Sequence, residues 1–189
     1  IGGEFVGFEG VVYPEFSRNT HIGMFEYDEK KFPTVIAGVD WGFTNPSVIL
    51  VIGLDGDERA HILEEFYQRR IMAEDLVNVA KELKGKYGIS QFVCDPSEPQ
   101  FIQQFVTANL PAISANNMVM PGIKEIAQRL EKAGDGKARL YVDQRCVSTI
   151  MEFENYRYPE TREGATEKEQ PIKVHDHAMD ALRYAMMSL

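Results

Sequence analysis

The spacing of hydrophobic positions changes at defined points along this chain, and those changes predict its elements. Residues 34–39 form a short apolar run that ends at Asp40, and residues 47–52 are apolar and β-branched; both predict buried strands. Gly53-Leu54-Asp55-Gly56 is a turn signal, and residues 59–67 read as a third strand. Three strands in succession predict an antiparallel meander. The period then lengthens. Leu76, Val79, Ala80, Leu83 and Tyr87 fall at helical spacing, and Gly88 stands where a C-terminal cap belongs. Residues 89–94 predict a strand ending at Asp95, 99–108 a helix, and a strand is expected within 111–120. Residues 123–133 predict a helix stopped by Gly134-Asp135-Gly136, 140–142 a strand, and 147–155 a helix. Residues 156–174 break the pattern, with Pro159, Gly164 and Pro171 among many charges, and predict a charged hairpin or loop. A last helix is expected over residues 175–189.

Three antiparallel strands followed by strands linked through helices give a mixed central sheet flanked by helices, an α/β arrangement of the RNase H-like type. Residues 1–33 read differently. Gly2, Gly3, Gly7, Gly10 and Gly23 interrupt short apolar pieces, so residues 1–33 are expected to form a linker or N-terminal arm, with 34–189 as the domain proper. A chain opening on Ile1 is expected to be a piece of a longer one.

Composition narrows this picture only slightly. The 189 residues fit one domain with a substantial core, and 44% hydrophobic with 26% charged residues is ordinary for a globular chain. No apolar run is long enough to cross a bilayer, and no basic region followed by an apolar core marks a signal peptide. Cys94 and Cys146 make neither a CxxC pair nor a zinc pattern, so a reduced chain is expected, with Cys94, in its apolar run, a buried thiol. The net charge of -9 argues against strong intrinsic binding of a polyanion. Carboxylates that bind cations would invert the local field and soften that objection.

The candidate chemistry is acidic. Asp40 follows one buried strand and Asp95 another, in Val93-Cys94-Asp95-Pro96-Ser97. A carboxylate just past a core strand is held on a rigid backbone at the sheet edge. If those strands were neighbours, both acids would reach one ion. Mg²⁺ and Mn²⁺ want such hard oxygen ligands. Either residue alone could equally be a turn or cap aspartate. Asp180 lies in the last helix and points away from its main apolar stripe of Ala178, Ala181, Leu182, Ala185, Met186 and Leu189, which by itself describes a solvated residue. Met179 and Met187 place apolar surface on other sides, so a helix packed on several faces could turn Asp180 inward. His177 shares a face with Asp180 and could orient or protonate a bound group. Asp176 is a rival metal ligand, or a first-turn residue favourable to the helix dipole.

These motifs come together in one resemblance. Phe8-Glu9-Gly10-Val11-Val12-Tyr13-Pro14-Glu15-Phe16 resembles the segment that leads from motor to nuclease in large terminase subunits of tailed bacteriophages. Gly38-Val39-Asp40-Trp41-Gly42-Phe43, Cys94-Asp95-Pro96-Ser97 and His177-Ala178-Met179-Asp180-Ala181-Leu182-Arg183-Tyr184 resemble that family's three nuclease motifs, in order. The resemblance implies that Asp40, Asp95 and Asp180 hold two divalent ions, Mg²⁺ or Mn²⁺; His177 as a helper and Asp176 as a further candidate ligand stand on their helix positions alone. It implies cleavage of concatemeric double-stranded DNA during packaging in the host cytoplasm. It implies as partners the terminase ATPase domain, the small terminase subunit and the portal protein. Arg157, Arg162 and Lys168, in the charged stretch, become candidate phosphate contacts, or else a solvated surface. No GxxxxGK[ST] loop occurs, so ATP hydrolysis is not expected of this chain. Isolated, it is expected to be a monomer that binds metal weakly without DNA. Two other readings compete. One is an ATP-binding domain of the sugar-kinase and actin type, suggested by the turn at Asp40-Trp41-Gly42. The other is a noncatalytic docking module of the packaging motor.

Overall fold

The computed structural model describes residues 10–160 and 170–189. Phe8, Glu9, Arg162 and Lys168 lie outside them. In chain order the elements are α1 (Arg18–His21), β1 (Ile22–Gly23), β2 (Thr34–Asp40), β3 (Ser47–Leu54), β4 (Ala60–Gln68), α2 (Ala73–Tyr87), β5 (Gln91–Cys94), α3 (Pro99–Thr107), β6 (Ala112–Ser114), α4 (Val119–Leu130), β7 (Leu140–Asp143), α5 (Val147–Asn155) and α6 (His177–Met186).

One sheet organises them, in the order β1-β7-β4-β3-β2-β5-β6. The meander β2-β3-β4 is antiparallel, as its turn chemistry predicts. β5 joins β2 in parallel and β6 joins β5; on the other side β7 joins β4, and β1 joins β7. Alternation along β3 shows how the sheet is covered. Val48, Leu50 and Ile52 face a cluster shared with α4, α5 and α6. Ile49 and Val51 face the opposite cluster, with Leu76, Ala80, Leu83 and Tyr87 of α2 and Phe105 of α3. A strand buried on both faces reads as a continuous apolar run, which is why β3 carries no polar interruption. Residues 10–33 contribute Val12, Tyr13 and Phe32 to these cores and β1 to the sheet edge. Cys94 and Cys146 are buried free thiols.

Three expectations about elements change. The strand expected within residues 111–120 is Ala112–Ser114, and α4 starts at Val119, four residues ahead of the expected Ile123. Pro121 sits in the first turn of α4, where a missing N–H costs no helix bond. The α4 helix ends at Leu130, three residues before Ala133. The last helix begins at His177 rather than at residue 175, because His175 has a left-handed φ of 50° and cannot continue a right-handed helix backwards. No helix among the described residues is long and apolar enough to cross a membrane.

Candidate metal centre

Asp40 is the last residue of β2, and Asp95 follows the last residue of β5. These strands are parallel neighbours with Val39 opposite Cys94, so the two acids leave the sheet side by side. The Asp95 N–H donates to the Val39 carbonyl at 2.9 Å, and Trp41 Nε1–H to the Asp95 carbonyl at 2.9 Å, which ties the two strand ends together. Ser97 donates its N–H and Oγ–H to the two Asp95 oxygens at 2.9 and 2.7 Å.

The third element is α6, which crosses β2 at Gly38. A Cβ at Gly38 would stand 1.9 Å from the Ala181 carbonyl oxygen, so only glycine lets the helix come this close. That approach brings Asp180, one residue before Ala181, over the end of β2. Asp180 is buried, not solvated, because α6 packs on β2, β3, α4 and α5 at once. The apolar stripe alone could not show this.

Asp40, Asp95, Asp176, His177 and Asp180 line one cavity of about 350 Å³ at the carboxyl ends of the parallel strands. His177 Nδ1–H donates to Asp40 Oδ2 at 3.0 Å. Arg183 Nη2 donates to Asp180 Oδ1 at 2.9 Å, and Lys173 Nζ stands 3.5 Å from Asp180 Oδ2 and 3.9 Å from Asp176 Oδ2. Sequence reading passed over both cations. Arg183 lies three residues from Asp180, a spacing that could have suggested the pair. Lys173 belongs to no periodic segment and carries no such signal. Arg157 is exposed and does not line the cavity; its carbonyl accepts from the Ile172 N–H at 2.9 Å.

The electrostatics record a crowded negative site. Burial, with the charges of Asp180 and Asp95 adding to it, pushes the Asp40 carboxyl up to about 7 against the pull of His177. Burial and the charge of Asp180 raise Asp176 as well. The bond to Asp40 holds His177 above its ordinary value. Among the described residues, no three His, Cys, Asp or Glu side chains are gathered tightly enough to clasp one ion. Side-chain cations stand beside the acids instead. The donor set nonetheless suits a hard divalent cation. It is four carboxylates in one cavity, and two of them, Asp40 and Asp176, are held away from ionisation by burial and by the charge of Asp180.

Fold and site together define an RNase H-like domain with an acidic cavity where its parallel strands end. The family model described as the terminase RNase H-like domain matches residues 40–188, and the chain belongs to that family. This decides against the sugar-kinase and actin reading of the turn after Asp40. The large terminase subunit of Escherichia phage T5 is 26% identical over 98% of this chain, and the chain spans 43% of that relative's length. The large terminase of a thermophilic bacteriophage superposes with a TM-score of 0.84 at 22% identity, over 100% of this chain and 47% of that one. The large terminase nuclease of thermophilic phage G20c, solved with bound magnesium and with bound cobalt, superposes at 0.70 with 18% identity, over 94% of this chain and 97% of that one. At these identities the structural likeness establishes the fold.

Proposed function

We propose that this domain is a metal-dependent endonuclease that cuts concatemeric double-stranded viral DNA during genome packaging. The observation that carries the reading is the convergence of Asp40, Asp95, Asp176 and Asp180, from two strand ends and a helix start far apart in sequence, on one cavity. The bound magnesium and cobalt in the G20c nuclease support the choice of a divalent cofactor.

Asp40, Asp95 and Asp180 would hold two such ions, Mg²⁺ or Mn²⁺, with Asp176 as a further donor. When bound, the pair supplies charge stabilisation for the attacking and leaving oxygens of an in-line displacement at phosphorus. The protein's own part is positional and protonic. Strand ends fix two carboxylates on rigid backbone. His177 commits Nδ1 to Asp40 and keeps Nε2, 4.0 Å from Asp176 Oδ1, for a proton at the cavity wall. Lys173 and Arg183 balance charge until DNA and metal arrive. Arg157, with Arg162 and Lys168 outside the described residues, is a candidate phosphate contact. With net charge -9, most DNA affinity must come from the ATPase domain, the small subunit or the portal, assembled in the host cytoplasm. The isolated domain is expected to be a monomer.

The test is plasmid digestion with Mg²⁺ or Mn²⁺ by the unaltered protein, Asp40→Ala and Asp180→Ala. Metal-dependent nicking and linearisation should fall roughly a thousandfold in both variants, the rate equivalent of several kcal/mol of lost transition-state stabilisation. Cleavage that survives Asp180→Ala would transfer its role to Asp176 or His177. A folded, unaltered protein that never cuts would favour the docking module.

A further inference from the structure

Helix α6 starts without using its own first residue. Asp176 occupies the N-cap position, yet its side chain makes no capping hydrogen bond. The two N–H groups that an N-cap normally serves belong to Ala178 and Met179. Both donate instead to Glu152 Oε2, at 2.7 and 3.0 Å. Glu152 comes from the middle of α5 and is 1% exposed. Its other oxygen accepts from the Tyr67 hydroxyl of β4 at 2.8 Å. Two residues before Tyr67, on the same face of β4, Glu65 serves α5 in the same way. It accepts from the Ser148 and Thr149 N–H groups, both at 2.8 Å, and from Thr149 Oγ1 at 2.6 Å. One strand thus fixes α5 directly, and fixes α6 through Glu152.

We infer that Glu152 is a positioning residue for the carboxylate cavity, capping α6 from a neighbouring helix so that the Asp176 carboxylate faces the cavity instead of the N–H groups of its helix's first turn. The consequence is one extra oxygen donor. Asp is among the best N-cap residues, and the open N–H groups of Ala178 and Met179 lie within its own first turn. With Glu152 in place those N–H groups are already taken. Asp176, itself buried, stands between Lys173 Nζ at 3.9 Å and His177 Nε2 at 4.0 Å. Removing Glu152 frees the two donors, and Asp176, at the N-cap position, is placed to turn and take them. The helix would survive with its own cap, and the cavity would lose a carboxylate.

The part of this inference that concerns metal rests on the nuclease reading, so the test separates the two. Mn²⁺ binding without DNA is titrated by electron paramagnetic resonance in the unaltered protein, Glu152→Ala, Glu152→Gln, Asp176→Asn and the double variant Glu152→Ala/Asp176→Asn. Partners behind metal ligands typically tune affinity by about 10- to 100-fold. Glu152→Ala is expected to weaken Mn²⁺ about tenfold, and Glu152→Gln, which keeps an acceptor for both N–H groups, no more than about threefold. Asp176→Asn should weaken binding about as much as Glu152→Ala, and the double variant no more than either, because both lose the same carboxylate. Additive losses, or wild-type affinity in Glu152→Ala, would overturn the inference. If Glu152→Ala does not fold, Tyr67→Phe, which removes only the Glu152 orienting bond, should weaken Mn²⁺ a few-fold; unchanged affinity there overturns it equally. An unaltered protein that binds no Mn²⁺ either alone or with a DNA duplex present sinks the nuclease reading instead. Amide exchange at Ala178 and Met179 then reads the cap alone, and rates equal in Glu152→Ala and Glu152→Gln would refute it.

Discussion

The two sides of the cavity are built by different means. On the strand side, Asp40 and Asp95 inherit their places from a backbone ladder. Once β2 and β5 pair in register, the side chains at their ends can only be neighbours. On the helix side, Asp176, His177 and Asp180 depend on remote partners: Gly38 beneath α6, Glu152 at its start, and Arg183 bridging Asp180 to the Asn117 carbonyl at 2.7 Å. A ladder is cooperative and made by backbone groups, so it tolerates the loss of any one side chain. A helix hung on a few contacts is exposed to single changes. Disruptive substitutions should therefore concentrate around α6.

The largest expected effect is at Gly38. A Cβ there would meet the Ala181 carbonyl oxygen at 1.9 Å and its carbon at 2.8 Å, both backbone atoms that no rotamer can move aside. Gly38→Ala must lift α6 off β2, and should cost about 3 kcal/mol or more in urea unfolding. A variant within about 1 kcal/mol of the parent would show that α6 slides freely, and the contrast between the two sides would collapse.

The pH dependence of stability weighs the two sides directly. Burial pushes Asp40 from 3.8 up to about 7 on the strand side, and Glu152 from 4.5 up to about 7 in the scaffold of the helix side. A carboxyl raised in the fold binds its proton more tightly there than in the unfolded chain. Its contribution is whole below the unfolded value and is lost as pH rises through the folded one. His177, raised by Asp40, adds to that loss. His61, lowered by burial, opposes it as pH rises towards 6.5. The metal-free protein should lose stability steadily between about pH 5 and pH 8. Asp40→Asn and Glu152→Gln should each flatten part of that slope in urea unfolding at a series of pH values. A parent whose stability holds level or climbs over this range would contradict the burial argument on both sides.

The strand side was legible in the sequence for the same reason that it is robust. Apolar runs ending at Asp40 and Asp95 locate the strands, and the order of elements makes those strands candidates for pairing. The helix side was legible through motif resemblance, with Met179 and Met187 as the one hint in the pattern itself that α6 packs on several faces. The periodicity of α6 placed Asp180 off its apolar stripe, because a wheel counts one face while this helix packs on several. Glu152 carried no signal at all. It lies in a helix of ordinary pattern, 26 residues from the N–H it caps, and nothing in a linear sequence reports such a distance. The misplaced start of α4 has a plainer cause. Pro121 reads as a helix stop unless its position within the first turn is already known.

The smallest expected effect tests the support behind Asp180. Gly122 of α4 lies against Arg183, and a Cβ there would stand 2.3 Å from its Cγ and 2.6 Å from its Cδ. The obstacle is side chain rather than backbone, so it can swing, and Gly122→Ala also gains helix propensity. The net cost should be about 1 kcal/mol, well below that of Gly38→Ala. The movement is not free for the site, however. Arg183 is held through both terminal guanidinium nitrogens, by Asn117 and by Asp180, so displacing its stem draws the guanidinium from the carboxylate. Gly122→Ala should therefore shift the Asp180 carboxyl resonance in the metal-free protein while barely moving the unfolding midpoint. An unchanged Asp180 signal would mean that Lys173 and the helix packing suffice to place it, and that Arg183 only neutralises charge.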